Sequence, residues 1–181
     1  MNFININTFM IVFKNVFLGT TQKLLQDKRF CISEDFFRRI LLFRNFEKYE
    51  ISSIELGKIT YGNIPLCKTA PYLYLEGNIG AYKDYCTYHQ RVLHVDMNYQ
   101  RFDKLISSIE KNGYNEKFII VLKYNNSLMD GQHRACCLMH KYGPEHKIKV
   151  LKLKLKKRNV LQKILRYFAG AKRAKTQSIG S

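Results

Sequence analysis

The segment from Phe118 to Gly143, FIIVLKYNNSLMDGQHRACCLMHKYG, changes its hydrophobic period half-way along, and the change dictates a strand–turn–helix order. Phe118-Ile119-Ile120-Val121-Leu122 is β-branched and aromatic, the composition of a buried strand. Asn125-Asn126 is a turn pair, because Asn tolerates positive φ, so Ser127-Leu128-Met129 is expected to return as a short antiparallel strand. Asp130-Gly131 ends the hairpin. From Gln132 the spacing is helical, with Ala135, Leu138 and Met139 on one side, and Gly143-Pro144 stops the helix.

The polar residues Asp130, Gly131, Gln132, His133 and Arg134 fall together where strand hands over to helix. A helix N-terminus presents unpaired backbone N–H groups and a partial positive charge, which attract phosphate. Gly131 permits close backbone approach to an anion, and His133 and Arg134 add charge-assisted donors. The alternative is a plain Asp-Gly turn followed by a helix with solvated His and Arg.

Asp130-Gly131-Gln132-His133-Arg134-Ala135, in its strand–turn–helix setting, resembles the signature of the ParB/sulfiredoxin superfamily, and especially its DGQHR-domain branch. The neighbours agree in order. Phe102 to Gly113 is similar to the helix that the family places before its central strand, and Lys147 to Leu153 to the strand after its motif helix. The resemblance covers residues 96–155 well and 51–60 weakly. It implies an α/β (α+β) fold with a small mixed sheet and packed helices, and a nucleoside triphosphate (ATP or CTP, with Mg²⁺) as cofactor. In the family's kinase-like members a catalytic Glu lies between the first strand and the first conserved helix. That role would fall on Glu76, with Asp84 and Asp96 as competitors and a solvated turn residue as the plain alternative. Asp130 would be a second carboxylate near the metal, and His133 completes the catalytic set. Sulfiredoxins carry a reactive Cys one position before the His-Arg pair; that position is Gln132 here, so their chemistry lacks its nucleophile. Centromere-binding ParB proteins append a helix-turn-helix domain, for which the remaining 25 or so residues are too few.

The formal net charge of +17 on 181 residues calls for an anionic partner, either nucleic acid or an acidic membrane face. Most of the excess lies late in the chain. Lys147 to Leu155 alternates apolar residues with lysines, a strand with one buried and one basic face. Asn159 to Ala169 reads as a helix with an apolar stripe of Val160, Leu161, Ile164, Leu165 and Phe168, and no acidic residue follows Glu145. The segment Lys147 to Lys175 is therefore the expected anion-binding surface, suited to a membrane or to a nucleic-acid backbone.

Five cysteines (Cys31, Cys67, Cys86, Cys136, Cys137) form no disulfide framework, which points to a reducing compartment. Cys136 and His140 stand one turn apart, but two or three ligands without a second cluster make a weak zinc signal; buried core Cys is expected instead, and no metal site is assigned to protein ligands. The apolar run Thr8 to Leu18 is broken by Lys14 and too short to span a bilayer. A cytoplasmic protein, peripheral at most to a membrane, is expected.

Two amphipathic helices are expected near the start, over Thr8 to Gln26 and from Ser33-Glu34-Asp35 onward, either packed on the domain or acting as an aromatic and basic arm. Ile51 to Ile59 is expected as the first strand. Thr60 to Asp96, rich in Tyr and Gly, reads as a long irregular stretch with a short helix at Ala81 to Tyr88. Phe102, Leu105, Ile106 and Ile109 give the stripe of a core helix over Tyr99 to Asn112, ended by Gly113. The expected organisation is a helical extension over residues 1–50, a ParB/sulfiredoxin-like domain over 51–155, and a basic tail over 156–181.

The function expected on these grounds is a nucleotide-binding domain, with Gly131, Gln132, His133 and Arg134 cradling phosphates. If catalytic, it would transfer a phosphoryl group to a small-molecule or glycan hydroxyl. The competing expectation is a non-catalytic or nuclease-like DNA-associated module that binds through its basic tail.

Overall fold

In a computed structural model of the chain, described over residues 23–24, 26–31, 36, 46–93 and 99–155, the hairpin and the helix around Gly131 are both present. β4 (Ile120–Lys123) pairs antiparallel with β5 (Leu128–Asp130), and the register slips between Val121 and Leu122. Asn126 takes the turn with φ 63°, the backbone state that Asn tolerates. Ile120, Val121 and Leu122 are all buried: Ile120 and Leu122 join the core cluster that contains the central helix, Val121 is buried on the opposite face, and β4 is paired along both edges.

That central helix is α4 (Gln132–Tyr142). It buries five successive residues, Ala135 to Met139, so it is enclosed nearly all round rather than on a single stripe. It packs on β4 and against two other helices, α1 (Ala70–Leu75) and α3 (Tyr99–Asn112). Gly143, at φ 86°, ends α4, and its N–H bonds to Met139 O. The chain then enters β6 (Lys147–Leu155), which lies parallel to β4 in the register Ile120↔Val150 to Lys123↔Leu153. The alternation of β6 changes phase at Val150-Leu151: Ile148 and Val150 are buried on one face and Leu151 and Leu153 on the other, so the exposed Lys147, Lys149 and Lys154 do not form the single basic face that was expected.

β1 (Phe46–Glu55) completes a four-stranded sheet of order β1-β6-β4-β5. The Leu56 N–H bonds to His146 O, so the end of β1 meets the beginning of β6 and the two strands run in opposite directions. The sheet is therefore mixed, and the fold is α+β as expected. β1 begins at Phe46 instead of Ile51.

The stretch from Thr60 to Asp96 differs most from its reading as irregular. It holds a two-residue-strand hairpin, β2 (Thr60–Tyr61) with β3 (Ile64–Pro65), then a 3₁₀ turn at Leu66–Lys68, then α1, and then α2 (Ile79–Leu93). Pro71 in the first turn of α1 is pre-set for helix and needs no N–H partner. α2 is a 15-residue helix, about twice the length read from Ala81 to Tyr88, because Ile79-Gly80 joins it at the start and His89 to Leu93 at the end. α3 has the expected bounds and buries Phe102 and Ile109. Lys141 of α4 donates to the O atoms of Ile109 and Glu110 and so closes the C-terminal end of α3.

The chain divides into two compact units. One comprises Arg29–Cys31 and Glu50–Leu153 and holds the elements around α4; the other comprises Met1–Lys28, Ile32–Tyr49 and Lys154–Ser181. In the latter, Lys154 pairs with Glu47 at 2.8 Å. Of the expected N-terminal helices, Lys23, Leu24, Gln26 and Phe36 are helical, and the rest lies outside the described residues, as does the helix read at Asn159 to Ala169. Among the described residues no helix is long and apolar enough to cross a membrane.

Candidate functional site

Gly131 stands between β5 and α4 at φ 88° and ψ 24°, in the left-handed region. A Cβ there would come within 3.0 Å of Ile120 Cγ1 and 3.1 Å of Arg134 Nη2, so both backbone conformation and space require glycine. The first bond inside α4 runs from Ala135 N–H to Gly131 O, which places the N–H groups of Gln132, His133 and Arg134 in the first, unbonded turn. No side chain caps this end, and its first turn contains no acidic residue.

The motif side chains divide between two tasks. Arg134 turns back toward the sheet. Its Nη1 donates to Phe118 O, which also accepts from Tyr114 Oη at 3.1 Å, and its Nη2 meets Asp130 Oδ2 at 3.3 Å. The Arg134 and Asp130 side chains are 18% and 20% exposed, so this is a largely enclosed ion pair tying the entry of β4 to the end of β5. The expected cationic phosphate ligand is thus engaged as a staple of the turn.

His133 points the other way, into rings contributed by α2 and α3. Its Nε2 shares a 2.9 Å hydrogen bond with Tyr82 Oη, and Phe102 meets its ring edge-on with centroids 4.7 Å apart. Burial holds the imidazole pKa down at about 4, and the neighbouring His89, Arg101 and Arg134 act in the same direction. His133 is accordingly neutral near pH 7 and does not supply the charge-assisted donor that the sequence led us to expect. Gln132 accepts a hydrogen bond from Tyr85 Oη at 3.2 Å. Two tyrosines of α2 therefore hold the first two residues of α4.

Glu76 lies elsewhere. It is the residue closing α1, and its Oε1 is 3.4 Å from His140 Nε2. His140 is eight residues along α4 from Gln132, about 12 Å of helix rise, so Glu76 sits at the opposite end from the turn. Asp84 is exposed on α2, and Asp96 lies outside the described residues. Of the residues expected to be catalytic, Asp130 and His133 flank the same turn with their side chains directed to opposite sides, and Glu76 lies at the far end of α4.

Cys136 and Cys137 are buried in α4, and burial pushes both thiols up to about 12. The Cys136 sulfur lies 3.4 Å from the hydroxyl of Thr69, itself buried and bonded to Leu66 O. Among the described residues no group of three or more His, Cys, Asp or Glu side chains converges as a metal site. Sequence reasoning missed Tyr82, Tyr85 and His89, although their i, i+3, i+7 spacing was a readable helical stripe.

No protein-family model matches the chain, and no curated protein matches it. Among solved structures it is similar to a Pnob8-like ParB-N domain, determined in a C2221 crystal form. That match has 16% identity and a TM-score of 0.35, and covers 60% of this chain and 31% of the other. The chain thus spans less than a third of the length of that structure.

Proposed function

We propose that the chain is a nucleotide-binding domain of ParB-like type, with the phosphates of a nucleoside triphosphate received at the N-terminus of α4. The observation that carries this reading is the open first turn of that helix. Gly131 is left-handed and has no side chain with which to cap the end, and the first turn of α4 contains no acidic residue. The residues that would hold the phosphates are the backbone N–H groups of Gln132, His133 and Arg134. The Arg134 guanidinium adds positive charge from behind the turn while keeping its bonds to Phe118 and Asp130. The resemblance of Asp130 to Ala135 to the family motif supports the same reading.

Mg²⁺ bound with the nucleotide would neutralise phosphate charge, and it takes most of its ligands from phosphate and water, so one nearby carboxylate suffices. Asp130 is the carboxylate beside the turn. Phosphoryl transfer requires a base as well, and the separation of Glu76 from the turn leaves nucleotide binding better supported than catalysis.

Gln132→Glu tests the reading cleanly. A carboxylate in the first turn favours the helix itself and can still accept from Tyr85, yet it repels phosphate. Calorimetric titration with Mg-ATP and Mg-CTP should show affinity falling by at least about tenfold at unchanged or raised Tm. Unchanged affinity would remove the phosphate site from α4.

A second reading concerns the tail. Residues 156–181 hold eight Lys or Arg and no Asp or Glu, whereas on β6 Lys149 pairs with Glu116 and Lys154 with Glu47. The tail is proposed to bind an anionic surface, either nucleic acid or acidic lipid. Deleting residues 156–181 should abolish binding to one of these, read by mobility shift and by vesicle co-sedimentation, and equal binding by the truncated chain would remove the proposal.

A further inference from the structure

Tyr82, Tyr85, Cys86 and His89 occupy the i, i+3, i+4 and i+7 positions of α2 and so share one face. Burial along that face is graded. Tyr82 and Cys86 are core residues, Tyr85 and His89 are half-buried, and Tyr88 beside them is 56% exposed. The rings are in mutual contact throughout. Tyr82 stacks on Tyr85 with centroids 5.7 Å apart, Tyr85 lies 4.2 Å from His89, and His89 meets Tyr88 at 5.8 Å. The core needs the inner end of this ladder. Toward its outer end Tyr85 still packs partly against the core, His89 is half-buried and Tyr88 is exposed.

The ladder begins at the proposed phosphate site. Tyr85 bonds Gln132, the first residue of α4, and Tyr82 bonds His133, the second. From Tyr85 to His89 the helix advances about 6 Å, comparable with the reach from the phosphates of a nucleotide to its base. The same corner carries the positive charges of Arg101 and Arg134, both of which act on His133.

We propose that Tyr85, Tyr88 and His89 form a stacking shelf for the planar base of the nucleotide whose phosphates lie at the α4 N-terminus. Aromatic rings accept any base by its π-face, so the shelf supplies affinity with little discrimination among bases. It defines the ligand class as an anion attached to a flat aromatic group, rather than a bare polyphosphate. The inference rests on the nucleotide reading above and goes beyond it by assigning the base.

The test compares Mg-ATP, Mg-CTP and inorganic tripolyphosphate by calorimetry on the full chain, in wild type, His89→Ala and Tyr85→Phe. Wild type should bind both nucleotides roughly tenfold or more tightly than tripolyphosphate. His89→Ala should bring nucleotide affinity down to the tripolyphosphate level and leave tripolyphosphate affinity as it was. Tyr85→Phe, which keeps the ring and loses the bond to Gln132, should retain most of the nucleotide preference. Equal wild-type affinity for nucleotide and tripolyphosphate would overturn the shelf and leave the phosphate site standing. An equal loss of both ligands in His89→Ala would also overturn it, by showing that α2 merely supports the turn. Absence of binding by every phosphate probe would overturn the phosphate site and the shelf together.

Discussion

The hydroxyl of Tyr82 and Nε2 of His133 share a 2.9 Å hydrogen bond inside an aromatic enclosure, and burial in that enclosure keeps the motif histidine neutral. The Tyr82 ring also packs against Phe102 at 5.1 Å and Tyr74 at 4.9 Å, so the bond anchors the start of α4 to the part of the core built by α1, α2 and α3.

Stability should therefore fall in mild acid through His133. Unfolded, the imidazole takes up a proton near pH 6.5; folded, burial delays uptake to about pH 4. Between those values the unfolded state binds more protons, so the contribution is intact above pH 6.5 and is lost as pH drops toward 4. The full effect is about 3 kcal/mol. Urea denaturation from pH 7.5 to 4.5 should show this slope in wild type and a flatter one, by about one proton, in His133→Asn. Identical slopes would mean that His133 is not the titrating group.

Arg134 should matter to stability whether or not nucleotide is present. Its guanidinium bonds a main-chain carbonyl and a carboxylate in a largely enclosed position. Arg134→Ala leaves Asp130 without this partner and should cost about 1.5–3 kcal/mol, the range for hydrogen bonds to charged groups. Arg134→Lys should recover only part of the loss, because a single ammonium does not reproduce the planar fork. Chemical denaturation without ligand decides the matter, and an alanine variant as stable as wild type would mean the staple contributes nothing.

Gly131→Ala should be more damaging than its size implies. The residue must hold φ 88° while its new methyl presses on Ile120 and Arg134. A loss of about 1–3 kcal/mol is expected, read as a lower Tm.

The strand, turn and helix around Gly131 were legible because each is governed by local chemistry: a β-branched run, an Asn pair and a glycine free to take the left-handed state. The bounds of α3 and β6 were equally legible from their apolar periods. The stretch from Thr60 to Asp96 was not. Its elements are short or amphipathic with Tyr in place of aliphatic residues, and Tyr82 and Tyr85 look polar in a hydropathy pattern although their rings pack inward. The orientation of His133 and Arg134 was hidden for another reason. Both depend on partners 16 to 51 residues away, Phe118 for the arginine and Tyr82 for the histidine.

Thiol reactivity offers an independent check on the core. Cys31 is exposed, while Cys86, Cys136 and Cys137 are buried, the last two with thiols pushed up to about 12. Iodoacetamide at pH 7.5 should label Cys31 well before any of these three, and urea should erase the difference. Rapid native labelling of Cys136 or Cys137 would contradict the packing of α4.

The most direct test of the central claim is a backbone amide NMR titration of the full chain with Mg-bound tripolyphosphate. Phosphate at the start of α4 should shift the amide signals of Gln132, His133 and Arg134 most strongly and saturably, and leave those of Glu76 and His140 near their starting positions. Saturable shifts centred on Glu76 and His140, or no shift in the first turn of α4 at saturating ligand, would contradict it.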